Sequence, residues 1–279
     1  MRLTFALVLI ATLVVAGLGG GGKASGGPKQ PQYLSLGDSL AASMQPDADG
    51  HDRPTSDGFS ERVWRGRAAS SPKLTLVKLG RGGETAASMI KSPKPGPSQL
   101  ELAEQRLRAG HVQLVTIDIG ANEVERCATG AGFDAGCVER GLDSLRTSLP
   151  QILGRLRSAG GPDLKIVGVN YYNSFLGRWV TGPDGRRLAH ASVWVEHRIN
   201  ATLNKVYDND NVPVADVESR FQTRAIHQYV PTRSYGPVPL AVANTCHWTF
   251  ACSARYDDHT NSLGYRVIAR SVLDLLRSA

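Results

Sequence analysis

The hydrophobic positions of this 279-residue chain form short continuous runs that alternate with longer amphipathic segments. Continuous apolar runs are typical of strands that are covered on both faces. They predict five strands, at residues 32–36, 74–79, 112–119, 164–170 and 212–217. Apolar residues three and four apart predict helices, and the clearest helices span 98–109, 138–158, 191–207 and 262–277.

Strands that alternate with helices predict a three-layer α/β/α sandwich around a central five-stranded parallel sheet. No internal repeat is visible, so we expect one domain from residue 32 to residue 279. In a sheet of this kind the carboxyl ends of the strands open onto one edge, where ligands bind. The residues that follow each strand are therefore the first candidates for a functional site.

The chain begins with a positive residue, Arg2, and an apolar run over residues 5–18. This run is short for a membrane span of about 20 residues and is typical of the core of a signal peptide. We therefore expect a signal peptide or N-terminal anchor at 1–18, followed by a Gly-rich flexible linker at 19–31. The protein is then exported, either secreted or associated with the cell envelope.

The composition limits the kinds of molecule that the protein is expected to bind. A hydrophobic fraction of 41% with 20% charged residues is that of a globular protein. The net charge of +7 comes from scattered Lys and Arg, without a cluster and without interleaved aromatic residues. This pattern argues against nucleic-acid binding and favours a solvated basic surface. We expect a monomer, and contact with a membrane or the cell envelope stays open.

Four cysteines are present, and four cysteines allow three disulfide connectivities. An exported protein meets an oxidising compartment, where paired cysteines form disulfides. The local pairing Cys127–Cys137 and Cys246–Cys252 closes two short loops, each worth about 2–3 kcal/mol by chain entropy. A zinc site is the alternative, but neither spacing is CxxC and His247 is isolated. We therefore expect no metal and no cofactor.

The strand ends carry the groups that acyl transfer requires. Ser39 follows the first strand and is the candidate nucleophile, although Gly-Asp-Ser is also an ordinary turn sequence. A serine needs a base, and His259 has a carboxylate on its N-terminal side. Residues two apart in an extended stretch point to one side, which favours Asp257 over Asp258 as the partner of His259.

An oxyanion needs hydrogen-bond donors. The backbone N–H of Ser39, a backbone N–H in the turn Gly82–Gly83 and the side-chain amide of Asn122 are the candidates. Loss of one such donor typically costs on the order of 100-fold or more in turnover.

Taken together, these blocks resemble the SGNH, or GDSL-type, serine hydrolase family. "GDSL" stands at 37–40, "GGET" at 82–85, "GANE" at 120–123 and "DDH" at 257–259. The resemblance implies a flavodoxin-like fold and metal-free ester hydrolysis through an acyl-enzyme on Ser39. It places Gly83 and Asn122 in the oxyanion hole and assigns His259 and Asp257 to the triad.

The chain departs from the family pattern at two of these blocks. Glu123 replaces the usual Asp and Thr260 replaces the usual Pro, which leaves the acid less firmly assigned than Ser39 or His259. Glu123 is expected to brace its own loop. The cysteines and "NYYNSFL" resemble the secreted actinobacterial branch of the family.

Aromatic residues follow the fourth strand. Tyr171, Tyr172 and Phe175, together with Trp179, either line an acyl pocket or only cover the edge of the core. The expected substrate is a small-molecule or lipid ester. A carbohydrate O-deacetylase and a non-catalytic surface binding module on the same fold remain the alternatives.

Overall fold

The computed structural model describes residues 30–130 and 132–278. Its central sheet contains five parallel strands. They are β1 (Gln32–Gly37), β2 (Thr75–Lys78), β3 (Val112–Asp118), β4 (Lys165–Val169) and β5 (Val214–Ala215). Their spatial order is β2-β1-β3-β4-β5, which confirms the predicted sheet. The order reverses at β1, so a ligand crevice is expected where β1 and β3 end.

The helices lie between and after these strands. They are α1 (Phe59–Arg67), α2 (Ala86–Ile90), α3 (Gln99–Arg108), α4 (Ala121–Val124), α5 (Ala135–Gly160), α6 (Pro183–Asn209), α7 (Val217–Phe221), α8 (Leu240–Trp248) and α9 (Ser262–Ser278). Two 3₁₀ segments accompany them, at Glu125–Cys127 and Ser174–Thr181.

Three small antiparallel hairpins stand outside the central sheet. They pair Met44–Pro46 with Asp52–Pro54, Ala128–Thr129 with Gly132–Phe133, and Tyr229–Thr232 with Gly236–Pro239. The first two hairpins follow β1 and β3 along the chain. Both therefore emerge at the carboxyl edge of the sheet.

The helices form two layers, one on each face of the sheet. α3 and α6 both pack against α5, whereas α1 and α7 both pack against α9. One large hydrophobic core joins these helices to the strands. A smaller satellite core lies under the 3₁₀ segment that follows β4, where Leu176 and Trp179 pack with Val238 and α8.

Two of the four predicted helices, those at 138–158 and 191–207, were too short at their N-terminal ends. α5 begins at Ala135, because the Asp134 side chain accepts a hydrogen bond from the Cys137 N–H at 2.6 Å and caps the helix. α6 begins at Pro183, eight residues before its apolar periodicity starts, because proline suits the first position of a helix. Hydrophobic pattern alone does not detect such polar first turns.

The expected signal peptide or anchor at 1–18 lies outside the described residues, as does nearly all of the linker at 19–31. Among the helices of the described residues, none is long and apolar enough to cross a membrane.

Close packing of β4 against α6 gives a stability prediction. A Cβ at Gly168 would lie 2.7 Å from the Tyr207 ring, whereas one at the exposed Gly154 of α5 would meet nothing within 4 Å. We expect Gly168→Ala to lower the free energy of unfolding by about 1–3 kcal/mol through overpacking. Gly154→Ala, its matched control, should raise it by about 0.5–1 kcal/mol. Urea denaturation measures both, and equal effects would contradict the packing described here.

Candidate active site

The end of β1 lies against the end of β3. Gly37 has φ +137°, and a Cβ there would lie 2.0 Å from the carbonyl oxygen of Asp118, so only glycine is accommodated. The Asp38 N–H donates to that same carbonyl at 3.1 Å. The side chain of Asp118 then accepts from the Ala41 N–H at 3.2 Å. β3 therefore holds the turn that carries Ser39.

Two buried carboxyl groups lie beneath this turn. Asp38 accepts hydrogen bonds from the Leu40 N–H at 2.9 Å and from the Tyr171 hydroxyl at 2.6 Å. Burial raises the pKa of Asp38, and burial together with the neighbouring Asp38 charge raises the pKa of Asp118 well above its ordinary value. Protonation of Asp118 relieves the repulsion between the two carboxyl groups. Asp38 thus serves as a structural hydrogen-bond acceptor in the turn that carries Ser39.

The buried amide of Gln99 joins two of the sequence blocks. Its carbonyl oxygen accepts from the Gly37 N–H at 2.6 Å, and its NH₂ donates to the Gly37 carbonyl at 2.9 Å. The same NH₂ donates to the Glu84 carboxylate at 3.0 Å. Gln99 therefore fixes the turn at residues 80–85 relative to the end of β1. Sequence reasoning missed this residue, which looks like an ordinary first residue of α3.

Ser39 and His259 line the same cavity, together with Asn122. Ser39 is partly exposed there, and His259 is only 6% exposed. Among the described residues no hydrogen bond joins the Ser39 hydroxyl to the imidazole, a contact that is often long before substrate binds. Three of the predicted site residues, from three distant parts of the chain, are thus brought to one cavity.

Three carboxylates surround the His259 imidazole. Its Nδ1 lies 2.9 Å from Asp257 Oδ1, 3.4 Å from Asp52 Oδ1 and 3.5 Å from Asp258 Oδ1. Burial alone lowers the pKa of an imidazole, but the Asp257 hydrogen bond and the charges of Asp258, Asp257 and Asp52 raise the His259 pKa to about 9. Asp257 also accepts from the His259 backbone N–H at 2.9 Å. Asp257 is therefore the best-placed carboxylate.

Burial alone would raise the pKa of Asp257, but hydrogen bonds from the ring and backbone of His259 lower it below its ordinary value. Asp257 consequently stays ionised beside the imidazole. Asp52 is the residue that sequence reasoning missed at this point, because it lies in the hairpin after β1 with no motif around it. Its side chain is 43% exposed, against 15% for Asp257.

A disulfide-closed loop positions His259. Cys246 and Cys252 are bonded as expected, and between them the Phe250 N–H donates to the His259 carbonyl at 3.0 Å. Thr249 and Thr260 form an antiparallel bridge alongside. This loop therefore holds His259 through backbone hydrogen bonds.

Of the three candidate oxyanion donors, Ser39 and Asn122 line the cavity and Gly83 does not. Asn122 lines the cavity and donates one amide hydrogen to the Glu84 carbonyl at 3.0 Å, which leaves a second hydrogen available. Gly83 has φ +74° and is exposed, but it is not among the residues that line the cavity. It lies beside Glu84, on the turn that Asn122 contacts.

The expectation that Glu123 braces its own loop is wrong. Its buried carboxylate accepts from the Ala86 N–H at 2.6 Å, so it binds the first turn of α2 instead. Burial raises the pKa of Glu123 to about 7. A side chain longer than the usual Asp can make this reach, and it ties the loop after β3 to the loop after β2.

Tyr171, Tyr172 and Phe175 all line the cavity. The Tyr172 hydroxyl donates to the Asp258 carbonyl at 2.6 Å and holds the loop that bears His259. Trp179 does not line the cavity, because the 3₁₀ segment turns it into the satellite core. An acyl-pocket role is therefore excluded for Trp179.

The cavity has further carboxyl groups that the sequence did not single out. Burial and a contact with Asp258 raise the pKa of Glu125 to about 9. Burial raises the pKa of Glu196 well above its ordinary value, and the Asn200 amide donates to it at 3.2 Å. Both residues line the cavity, and Glu125 is protonated at neutral pH.

Within the described ranges, two groups bring three possible metal-ligand atoms within 4.8 Å, namely Asp47 with Asp49 and His51, and Asp52 with Asp257 and His259. In the second group His259 already binds Asp257 through Nδ1. We assign no ion to either group.

The α/β sheet brings a serine, an imidazole and an amide together at its carboxyl edge. These are the groups that hydrolases need for acyl transfer. The chain belongs to the GDSL-like lipase/acylhydrolase family, whose sequence profile matches residues 35–267. It is a carboxylic ester hydrolase. No curated protein sequence matches the chain.

Solved structures with the same fold share little sequence with it. An acetylxylan esterase from Geobacillus stearothermophilus is 16% identical, with a TM-score of 0.53 over 88% of this chain and 93% of that one. An extracellular lipase from Streptomyces rimosus is 18% identical, with a TM-score of 0.54 over 89% and 99%. A phospholipase A1 from Streptomyces albidoflavus is 16% identical, with a TM-score of 0.51 over 90% and 99%. At these identities the likeness shows the fold alone.

The carboxylates around His259 give a direct prediction. In an NMR titration the His259 ring should titrate near pH 9, because the imidazolium is stabilised by the carboxylates at its Nδ1. Asp257→Asn should lower that pKa by more than Asp52→Asn, because Asp257 is the closer and less exposed partner. An unshifted titration near pH 6.5 in the unmodified protein would contradict this arrangement.

Proposed function

We propose that this protein hydrolyses carboxylic esters through an acyl-enzyme on Ser39, with His259 as the base and Asp257 as its orienting acid. The observation that carries the proposal is that Ser39 and His259 line one cavity while the imidazole Nδ1 is bonded to Asp257. That bond leaves Nε2 as the nitrogen that takes the serine proton.

In the first half of the reaction, the Ser39 oxygen bonds to the ester carbonyl carbon as its proton passes to His259 Nε2. The carbonyl oxygen becomes an oxyanion and accepts hydrogen bonds from the Ser39 N–H, the Asn122 amide and the Gly83 N–H. The intermediate collapses, and the alcohol leaves with the proton from His259. Water then repeats the sequence on the acyl-enzyme and releases the acid and free Ser39.

The carboxylates around the imidazole affect the two protonation states in opposite ways. They stabilise the imidazolium that forms when Ser39 attacks. They also keep His259 protonated in the free enzyme, and an imidazolium cannot accept the serine proton. The geometry therefore supports an esterase that works best in alkaline solution.

A carbohydrate O-deacetylase is the second candidate. The cavity beside Ser39 is small, about 60 Å³, and carries hydroxyl and carboxyl groups. The acetylxylan esterase of the same fold is named for such a reaction. A non-catalytic binding module would keep the fold without a reactive serine.

We also infer export, to the exterior or the cell envelope, as for the secreted actinobacterial branch of the family. The apolar run at 5–18 and the two disulfides support this inference.

A fluorophosphonate probe tests the nucleophile. We expect covalent labelling of the folded protein at Ser39, located by peptide mass mapping, and loss of labelling in Ser39→Ala. The matched control is Ser70→Ala, which removes an exposed hydroxyl that does not line the cavity. This variant should be labelled as the unmodified protein is. A folded protein that stays unlabelled would favour the binding module over the enzyme.

The pH dependence tests the base. We expect kcat/KM for p-nitrophenyl acetate to rise with pH and level off above about 9, because only neutral His259 is active. Asp257→Asn should lower kcat by about 10³–10⁴-fold, since the imidazole loses its orienting acceptor.

Asp258→Asn, whose carboxylate lies farther from Nδ1, is the control and should lose much less. Rates are corrected with Ser39→Ala at each pH. A larger loss in Asp258→Asn than in Asp257→Asn would reassign the acid.

A further inference from the structure

The space beside Ser39 is small for a lipid acyl chain. The cavity measures about 60 Å³, whereas an apolar cavity of about 150 Å³ holds one benzene molecule. By that scale it has room for about two or three non-hydrogen atoms. An acetyl group fits this space, whereas a longer acyl chain must displace a wall or extend out through the mouth of the cavity.

Two aromatic rings form part of that wall. Phe133 and Phe175 meet edge to face, with ring centroids 5.1 Å apart and planes at 78°. Both line the cavity, where Val195 and Ile199 of α6 also face it. Edge-to-face packing is favourable for aromatic side chains, so moving either ring out of the wall costs free energy.

Phe133 is fixed by the chain around it. It lies in the hairpin that pairs Ala128 with Phe133, and the disulfide Cys127–Cys137 closes the loop that contains this hairpin. The Asp134 N–H donates to the Cys127 carbonyl at 2.9 Å, and the hairpin packs on α6. Sequence reasoning assigned this disulfide only a stabilising role. In the structure it also holds one wall of the cavity.

The rest of the lining does not suit an alkyl chain. Glu125, Glu196, Ser174 and Ser192 line the cavity, and among the described residues its lining includes no Lys or Arg. A long chain laid over these groups would separate carboxyls and hydroxyls from water without offering a hydrogen bond, which is unfavourable. A short acyl group leaves them solvated or bonded to a polar alcohol part.

We propose that Phe133 and Phe175 limit the acyl group to two or three carbons, so that the substrates are acetyl and propionyl esters. This inference rests on the proposed function. It adds Phe133 as a specificity-determining residue, makes the acyl-pocket role of Phe175 specific, gives a role to the Cys127–Cys137 disulfide, and excludes fatty esters as good substrates.

The test is kcat/KM over p-nitrophenyl acetate, butyrate, hexanoate and octanoate. Acetate should be best, with hexanoate at least tenfold lower. Phe133→Ala and Phe175→Ala should each raise the hexanoate-to-acetate ratio tenfold or more, since a buried methylene is worth about fourfold in binding. Tyr229→Ala, an exposed aromatic outside the cavity, is the matched control and should leave the ratio unchanged.

A second measurement needs no variant that has to fold. Labelling of the unmodified protein by alkyl fluorophosphonates should slow at least tenfold from methyl to octyl. The inference is overturned if octanoate is preferred, or if both phenylalanine variants are active with the unmodified chain-length profile. Absence of both hydrolysis and labelling would instead refute the proposed function, and this inference with it.

Discussion

The contact between the ends of β1 and β3 is the constraint on which the site depends. Gly37 approaches Asp118 so closely that a side chain is excluded, and the next N–H binds the carbonyl of Asp118. The turn at Ser39 is thereby fixed to the strand that leads into Asn122. Ser39 and Asn122, which come from separate sequence blocks, are therefore both positioned by the paired ends of β1 and β3, which form the foundation of the site. This is the point where the strand order reverses, and ligands bind there in sheets of this kind. Hydrogen bonds from Gln99, Asn122 and Tyr171 attach the turn at 80–85 and the residues after β4 to this foundation.

The two disulfides stabilise different parts of the cavity. Cys246–Cys252 closes the loop whose backbone holds His259, whereas Cys127–Cys137 closes the loop that carries Phe133. One therefore supports the reacting groups and the other supports the cavity wall. Both disulfides therefore restrain loops that border the cavity, and catalytic groups on loops need such a rigid frame.

Sequence patterns predicted much of this arrangement, and their failures have a common physical cause. The five strands and the spacing of Asp257 and His259 are local features, and apolar runs or two-residue alternation reveal them. Sequence patterns do not reveal the roles of Gln99 and Asp52, because their partners are distant in the chain. Gly37 is 62 residues from Gln99, and His259 is 207 residues from Asp52. An amide at a helix start or an acid in a hairpin looks the same whether it faces water or a distant backbone.

Glu123 and Phe133 show the same limit. Glu123 was recognised as a departure from the family pattern, but its partner in α2 depends on how two loops meet. Phe133 has no motif and becomes part of the cavity only because a disulfide and α6 place it there.

The charges of the site impose a compromise. Asp52, Asp257 and Asp258 stabilise the imidazolium that forms during attack, and they raise the pKa of the resting base to about 9 in doing so. Removing the outer carboxylates would free the base at neutral pH but weaken the stabilisation of the charged intermediate. Glu125 adds little negative charge at neutral pH, because burial and its contact with Asp258 raise its pKa to about 9, and burial raises the pKa of Glu196 well above its ordinary value. Buried carboxyl groups can thus line the cavity beside an oxyanion, because a raised pKa lowers their negative charge.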